Sequence, residues 1–400
     1  MYITRFAAKN YRNIALEEIY PCEGINVVYG GNAQGKTNLL EAIWMFTGGH
    51  SFRGAKDAEV IRFSRQGEKA GFAALELDFF SENREQSAVL RIENGRRTSW
   101  INEVKKNTGS ALVGKVRAVI FSPEHLMLIK EGPHHRRKFM DTTLCQLAPS
   151  YAALSASYRR IIAQRNALLK EVAKNPRLAD TVSVWDAQTA NLGARVMEER
   201  KKFIQSLTPF VQEVFQGIAH GKEEIGLRYA PSFPCGQTLQ ETEQLFLQEL
   251  SRTAATETRM GATMAGPHRD DLEILINGVS ARAYGSQGQQ RSAVLALKLA
   301  EAQVLGALSG EPPVVLLDDV LSELDKQRQD YLLNRLYGQQ IFITSCEPDA
   351  VKIMQTGMRF NMKNGQVFPE EVFVLMETEE AEDTGDAETA GAGPIPPPAG

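Results

Sequence analysis

Eight consecutive residues constrain this 400-residue chain more than any others. Gly30-Gly31-Asn32-Ala33-Gln34-Gly35-Lys36-Thr37 fits G-x-x-x-x-G-K-[ST] at every position. Before it, Gly24-Ile25-Asn26-Val27-Val28-Tyr29 reads as a short buried strand; after it, residues 38–46 carry helical apolar spacing. Strand, glycine-rich turn and helix start make a phosphate-cradling loop: backbone N–H groups converge on an anion and the helix N-terminus adds partial positive charge. In such a loop Lys36 reaches the outer phosphates and Thr37 offers its hydroxyl to Mg²⁺. The competing reading, a chance glycine-rich turn, does not account for the strand and helix that flank it.

Two later segments complete the pattern. Pro313-Val314-Val315-Leu316-Leu317-Asp318-Asp319 is an apolar run ending in acids, the signature of a buried parallel strand that stops at a site edge. Placed beside the phosphate-loop strand, Asp318 would hold Mg²⁺, and Asp319 would orient or deprotonate an attacking water. Thirty residues upstream, Ser286-Gln287-Gly288-Gln289 opens a strong helix running through Ala300. A serine hydroxyl, glycine-permitted N–H groups and a helix dipole form a second phosphate-binding device, whereas a plain helix cap needs only the serine. The first loop already encloses its phosphates, so the second suits another copy of the chain in a symmetric pair.

The segments between these motifs change period. Residues 73–80 and 87–92 read as two strands around a polar turn, and 116–121 as another, stopped by Ser122-Pro123. From Gly132 to Gly217 apolar residues recur at helical steps: Leu154, Tyr158, Ile161, Ile162, Arg165, Leu168, Leu169 and Val172, then Trp185, Gln188, Leu192, Val196, Phe203, Ile204 and Leu207. Asn175-Pro176 separates the two stripes, predicting an antiparallel helix pair. The pair fits equally a second lobe's core or a protruding arm. The expected fold is α/β, a mixed sheet with helices and a helical second lobe, divided as 1–131, 132–260, 261–375 and a tail at 376–400.

The chain has 45 basic and 49 acidic residues, but Glu377, Glu379, Glu380, Glu382, Asp383, Asp386 and Glu388 lie where no Lys or Arg stands. Without them 45 basic residues face 42 acidic ones, which permits a polyanionic partner without demanding one. The Pro-rich, acidic 376–400 segment is too polar to repay its ordering entropy and is expected to be disordered. No run of 18 apolar residues or signal-peptide pattern is present, and Cys22, Cys145, Cys235 and Cys346 form no C-x-x-C pair. These features predict a cytoplasmic protein that does not engage a membrane.

Phosphate loop, S-x-G-Q before an apolar strand ending in Asp-Asp, and Leu321-Ser322-Glu323-Leu324-Asp325 stand in the order of ABC-type ATPases. Within these the chain resembles the SMC-related heads, most closely the RecF family of bacterial recombination mediators. Asn10-Tyr11-Arg12-Asn13, residues 121–126, residues 133–141 and Ala265-Gly266-Pro267-His268-Arg269-Asp270-Asp271 carry the likeness, as does the short helical insert. The resemblance implies a weak DNA-dependent ATPase using ATP and Mg²⁺, an ATP-dependent homodimer, and sequence-independent binding of duplex and gapped DNA. It also implies work with RecR, and through it RecO, in loading RecA, and support of the SOS response. Lys36 and Thr37 take the Walker A roles, Asp318 and Asp319 the Walker B roles, Ser286 and Gln289 the signature roles across the dimer. Asp325 is placed in the D-loop and Glu124 where a Q-loop glutamine stands. Two departures are visible: Asp319 replaces the Glu of transporters, consistent with slow turnover, and Thr344-Ser345 occupies the place of a switch histidine.

Basic residues cluster at Arg53, Lys56, Arg62 and Arg65, and again at Arg136, Arg137 and Lys138; these are the candidate phosphate contacts to DNA, against surface charge or ion pairing. A transporter subunit and an ATP-controlled scaffold are the rival classes. His268-Arg269-Asp270 looks like a kinase catalytic loop, but the Asn required five residues after the Asp is Leu275.

Overall fold

The computed structural model describes residues 1–63, 69–106, 109–346 and 356–374. Arg65 and the 376–400 tail lie outside the described residues. The chain begins as antiparallel sheet. Strands β1 (Tyr2–Tyr11), β2 (Ile14–Ile19), β4 (Phe72–Ser81), β5 (Arg84–Glu93), β6 (Arg96–Ile101) and β7 (Val104–Lys106) pair in the order β2-β1-β4-β5-β6-β7. Along β4, Ala73, Leu75, Leu77 and Phe79 are buried while their neighbours are only partly covered, the period of two expected of a sheet with one core face. Tight turns close its hairpins at Glu82-Asn83, Asn94-Gly95 and Asn102-Glu103, all six residues having φ between 47° and 71°. Two successive positive φ values match the right-handed twist of the flanking strands, which is why Asn and Gly recur there.

Beneath this lies a second six-stranded sheet, ordered β15-β14-β3-β13-β12-β8. It contains β3 (Ile25–Tyr29), β8 (Ala118–Phe121), β12 (Val314–Asp318), β13 (Ile341–Ser345), β14 (Thr356–Lys363) and β15 (Gln366–Val374). All neighbours are parallel except β15, which returns antiparallel along β14. Its strands β3, β8, β12 and β13 are buried on both faces, and their alternation divides the core. Val28, Ala118, Val314, Leu316 and Phe342 pack toward the antiparallel sheet and helix α1 (Lys36–Trp44). Val27, Val119, Val315, Leu317 and Ile343 pack toward the helices on the other side. One expectation needs correction: β12 is not beside the phosphate-loop strand, because β13 intervenes and pairs with both.

The helical side comprises α2 (Met127–Lys130), α3 (Pro133–Leu147), α4 (Pro149–Val172), α5 (Val182–Ile218) and α6 (Leu239–Met260), then α7 (Ala281–Tyr284), α8 (Gln287–Ser309) and α9 (Lys326–Arg335). Strand β9 (Ile225–Ala230) pairs antiparallel with β10 (Asp271–Ile276), which continues to β11 (Val279–Ser280); this small sheet ties the helical insert to the chain beyond residue 260. Pro176 ends the α4 stripe as its fixed φ and missing N–H require, whereas Pro209 is accommodated inside α5.

Helix α5, about 55 Å long at 1.5 Å per residue, is packed into core over most of its length. Its C-terminal half buries Phe203, Ile204, Leu207, Val211, Val214 and Phe215 in the main core. Its first turns are largely exposed, Gln188 included, so the buried stripe starts at Thr189 and Ala190 instead. At Gly193 a Cβ would sit 2.4 Å from Phe246 Cε1, so only glycine lets α5 approach α6 this closely. Inside this lobe Arg165 is fully buried, bonded to Asp186 and Glu257 and donating to Thr263 Oγ1 at 2.8 Å. Helix α8 is long and apolar enough to cross a membrane, yet it is a core helix whose Lys298 and Glu301 pair with each other inside the protein.

Candidate nucleotide site

The phosphate loop joins β3 to α1, and its backbone needs its glycines. Gly30 and Gly35 have φ of 150° and 115°. A Cβ on Gly30 would lie 2.3 Å from Met362 O, and one on Gly35 would lie 2.5 Å from Asn13 Oδ1. The loop is gripped from two sides. Asn13 Nδ2 donates to Gln34 O at 2.8 Å, as does the Gly365 amide at 2.9 Å, and the Asn364 amide donates to Gln34 Oε1 at 2.6 Å. Thus the β1–β2 turn and the β14–β15 turn hold the loop before any ligand binds. Lys36, 8% exposed, folds back so that Nζ donates to Gly30 O at 2.6 Å and Gly31 O at 2.9 Å, carbonyls that phosphate oxygens would replace.

Thr37 and the end of β12 meet despite the intervening strand. Thr37 Oγ1 donates to Asp318 Oδ1 at 2.8 Å, and Thr344 Oγ1 on β13 donates to the same oxygen at 3.0 Å. Burial pushes the Asp318 carboxyl above its usual range, these hydroxyls pull it back, and neighbouring Asp319 raises it further. A hydroxyl and a buried carboxylate are hard oxygen donors short of positive charge, so they fit Mg²⁺; bound there, the ion would neutralise phosphate charge. Asp319 is exposed and adopts φ 55°, its amide donating to Thr344 Oγ1 at 2.9 Å. Thr344 therefore links both acids. The sequence marked it only as the place of a missing histidine.

Ser286 caps α8: the Gln289 amide donates to Ser286 Oγ at 3.2 Å and the Ser286 amide to Gln289 Oε1 at 2.7 Å. Gln289 also donates to Glu223. Ser286 and Gln287 are exposed, Gly288 is partly covered, and among the described residues no hydrogen bond joins 286–289 to the loop at 30–37. Asp325, likewise exposed, caps α9 and pairs with Arg328, whose other nitrogen donates to Ser292 Oγ on α8 at 3.1 Å. The start of α8 and the turn at Asp325 thus share one surface, open to solvent. Glu124 is exposed in the turn after edge strand β8.

The family model described as the RecF/RecN/SMC N terminal domain matches residues 2–368. A relative named DNA replication and repair protein RecF, from Acetivibrio thermocellus, is 39% identical over 87% of this chain and 94% of its own. Another of that name, from Agathobacter rectalis, is 38% identical over 92% of this chain and 99% of its own. The chain belongs to the RecF family. A solved structure described as the recombination mediator protein RecF with ATP in the RecFOR pathway matches with a TM-score of 0.86 at 32% identity, over 92% of this chain and 98% of that one. An SMC head bound to the C-terminal winged-helix domain of ScpA, 15% identical with a TM-score of 0.54, shares the fold, covering 94% of this chain and 98% of that one. The ABC-type ATPase head expected from the motifs is therefore its fold class.

For a RecF-family member the described basic candidates fall into four groups. Arg53 NH1 donates to Asn38 Oδ1 at 3.0 Å, Asn38 donates to Asn13 Oδ1 at 2.9 Å, and the Arg53 charge acts on Asp318, so Arg53 belongs to the nucleotide site's rim. Arg136 is corrected as a DNA contact: only 4% exposed, it makes a bidentate pair with Asp271 at 2.7 and 2.8 Å and donates to two backbone carbonyls. Its bonds are all internal. Lys56 and the sequence-distant pair Arg137 and Lys138 line one cleft of about 1340 Å³ between the α1 side of the head and the helical lobe. Arg62 is partly covered, its amide bonded to Asn10 O. The kinase-like triplet is structural: His268 bonds Tyr158 and Thr263 O, and Asp270 accepts from Tyr229 and the Ser232 amide.

Proposed function

We propose that this chain is an ATP-gated, DNA-binding ATPase of replication and recombinational repair. Two copies enclose two nucleotides, each held by one copy's Lys36 and Thr37 and the other's Ser286 and Gln289, with Asp325 at the junction. Thr37 and Asp318 hold Mg²⁺, which supplies charge neutralisation at the phosphates. Asp319 orients the attacking water, and its short side chain suits slow, DNA-dependent turnover. Closed, the pair grips duplex DNA beside single-strand gaps through phosphates and without reading sequence. In the cytoplasm it works with RecR, and through RecR with RecO, to load RecA, supporting SOS induction. The head is formed by 1–131 and 261–375, the lobe by 132–260.

The observation that carries this reading is the division of the site. Thr37 and Thr344 both bond Asp318 within one chain and Lys36 bonds the carbonyls of its own loop, while Ser286 and Asp325 stand exposed at helix starts with no hydrogen bond to the phosphate loop among the described residues. Light scattering with and without ATP and Mg²⁺ tests it, repeated with gapped DNA. Lys36→Met should give no ATP-induced dimer and Asp319→Asn a trapped one; a monomer at saturating ATP in the native protein refutes the reading. A scaffold in which hydrolysis is incidental requires instead that Asp319→Asn support full repair in cells.

A further inference from the structure

The phosphate loop is held in a backbone form that its residues do not favour by themselves. Besides Gly30 and Gly35, Ala33 has a positive φ, 62°. For a residue with a Cβ that region is sparsely populated, and it persists only where the surroundings hold it. The holding falls on the next residue, Gln34. Its carbonyl accepts from Asn13 Nδ2 at 2.8 Å and from the Gly365 amide at 2.9 Å.

Asn13 reaches further than that carbonyl. Its Oδ1 accepts from Asn38 Nδ2 at 2.9 Å, and Asn38 Oδ1 accepts from Arg53 Nη1 at 3.0 Å. Both ends force the direction of this chain. A guanidinium only donates and a backbone carbonyl only accepts, so each amide between them has one orientation that makes both of its bonds. Asn13 thus ties residue 34 to residue 38, with Gly35, Lys36 and Thr37 between its two attachments. The side chain lies against Gly35, where a Cβ would be 2.5 Å from Asn13 Oδ1. The turn that carries it is fixed independently, since Arg12 makes a bidentate pair with the buried Glu41 of α1 at 2.8 and 2.9 Å.

We infer that Asn13 and Asn38 are positioning residues for the nucleotide. Oriented by Arg53, they hold the junction of loop and helix in the form that receives phosphates, and neither touches the reacting atoms. The inference rests on the nucleotide-binding reading above and extends it to side chains outside the loop motif. Because the Gly365 amide also holds Gln34 O, losing the Asn13 bond lets the junction leave its receptive form without unfolding it. One net hydrogen bond shifts such an equilibrium about five- to tenfold, and apparent affinity falls with the receptive fraction. Asn38 acts through Asn13, so removing both costs this step once.

The test compares Asn13→Ala, Asn38→Ala and the double variant in the full chain with Mg²⁺. Binding of an ATP analogue with a fluorophore on its ribose gives Kd, and turnover at saturating ATP gives kcat. Each single variant should raise Kd about five- to tenfold, the double should stay within about twofold of the weaker single, and kcat should stay within about threefold. A native Kd in either single variant overturns the inference. So does an additive loss of about 25- to 100-fold in the double, or a fall in kcat at unchanged Kd. Asn38→Asp keeps the acceptor for Arg53 but not the donor to Asn13, so it should bind no better than Asn38→Ala; native affinity would mean that Asn38 serves Arg53 alone and would also overturn the inference. Urea melts of the ligand-free variants check the fold, and if Asn13→Ala does not fold, the two Asn38 variants decide. If the native protein does not bind the analogue, the nucleotide reading itself fails; native binding with unaffected variants removes only this inference.

Discussion

Asp318→Asn offers the sharpest test of the site because two ways of thinking about it give opposite signs. Counting hydrogen bonds alone, the substitution weakens two charge-assisted contacts, from Thr37 at 2.8 Å and Thr344 at 3.0 Å, by about 1 kcal/mol each. The side chain is also buried, however, and a desolvated carboxylate costs several kcal/mol that a neutral amide avoids. Burial raises the folded-state pKa of Asp318 above its ordinary value. A raised acid contributes stability below its unfolded pKa and loses it as pH rises through the folded one, so at neutral pH the ionised group strains the ligand-free fold. Asp318→Asn should therefore leave the metal-free protein as stable as the native one or more so, by about 1 kcal/mol, while removing the Mg²⁺-dependent gain from nucleotide. In the native protein that gain is about 2.7 kcal/mol at a hundredfold excess over Kd. Urea unfolding at pH 7.5, in EDTA and then in Mg²⁺ with a non-hydrolysable analogue, measures both. A loss above about 2 kcal/mol in EDTA would refute the reasoning, since the hydrogen bonds would then outweigh desolvation.

Three further outcomes follow from the same geometry. Thr344→Val keeps the shape but releases the Asp319 amide, so turnover should fall by about 10–100-fold with nucleotide affinity within about threefold; unchanged kcat would remove Thr344 from the site. Gly193→Ala should cost about 1–3 kcal/mol in a thermal or urea melt, because the new methyl meets the Phe246 ring at 2.4 Å, and a neutral result would mean α6 yields freely. His268, held neutral with its pKa pushed down to about 4, contributes stability that is complete above pH 6.5 and lost as pH falls toward 4. His268→Gln should flatten the decline in unfolding free energy across that window, read from urea melts, by about 3 kcal/mol, and parallel pH curves for the two proteins would exclude this role.

The parts of the fold that the sequence exposed were those written in local periods. The loop at 30–37, the strand at 314–318 and the helix after Ser286 each announce themselves within a dozen residues, since backbone geometry and burial pattern are local demands. What stayed hidden is pairing order. Nothing in residues 313–319 says that β13 lies between β12 and β3, because register in a parallel sheet is set by crossovers through distant helices. Contacts across long separations were equally silent. Arg136 reads as a surface charge in a basic run until Asp271, 135 residues away, takes it in a bidentate pair.

Arg53 shows the same limit and indicates how the two basic regions divide their work. It sits four positions from Gly49 on the loop that also carries Lys56, yet one of these cations bonds Asn38, next to Thr37, and the other lines the cleft. That loop therefore reaches the candidate nucleotide site at one end and the basic cleft a few residues on. Any anion settling against Lys56 acts on a segment already bonded to the helix that starts at Lys36. A coupling between an anion in the cleft and a nucleotide on the loop would need no long relay here; it would need only that residues 49–58 move as a unit. The Arg97 side chain favours this, pinning the loop by bonds to Gly49 O at 2.7 Å and to the Asp57 carboxylate at 2.6 and 2.8 Å, so both ends of the segment are held by one guanidinium.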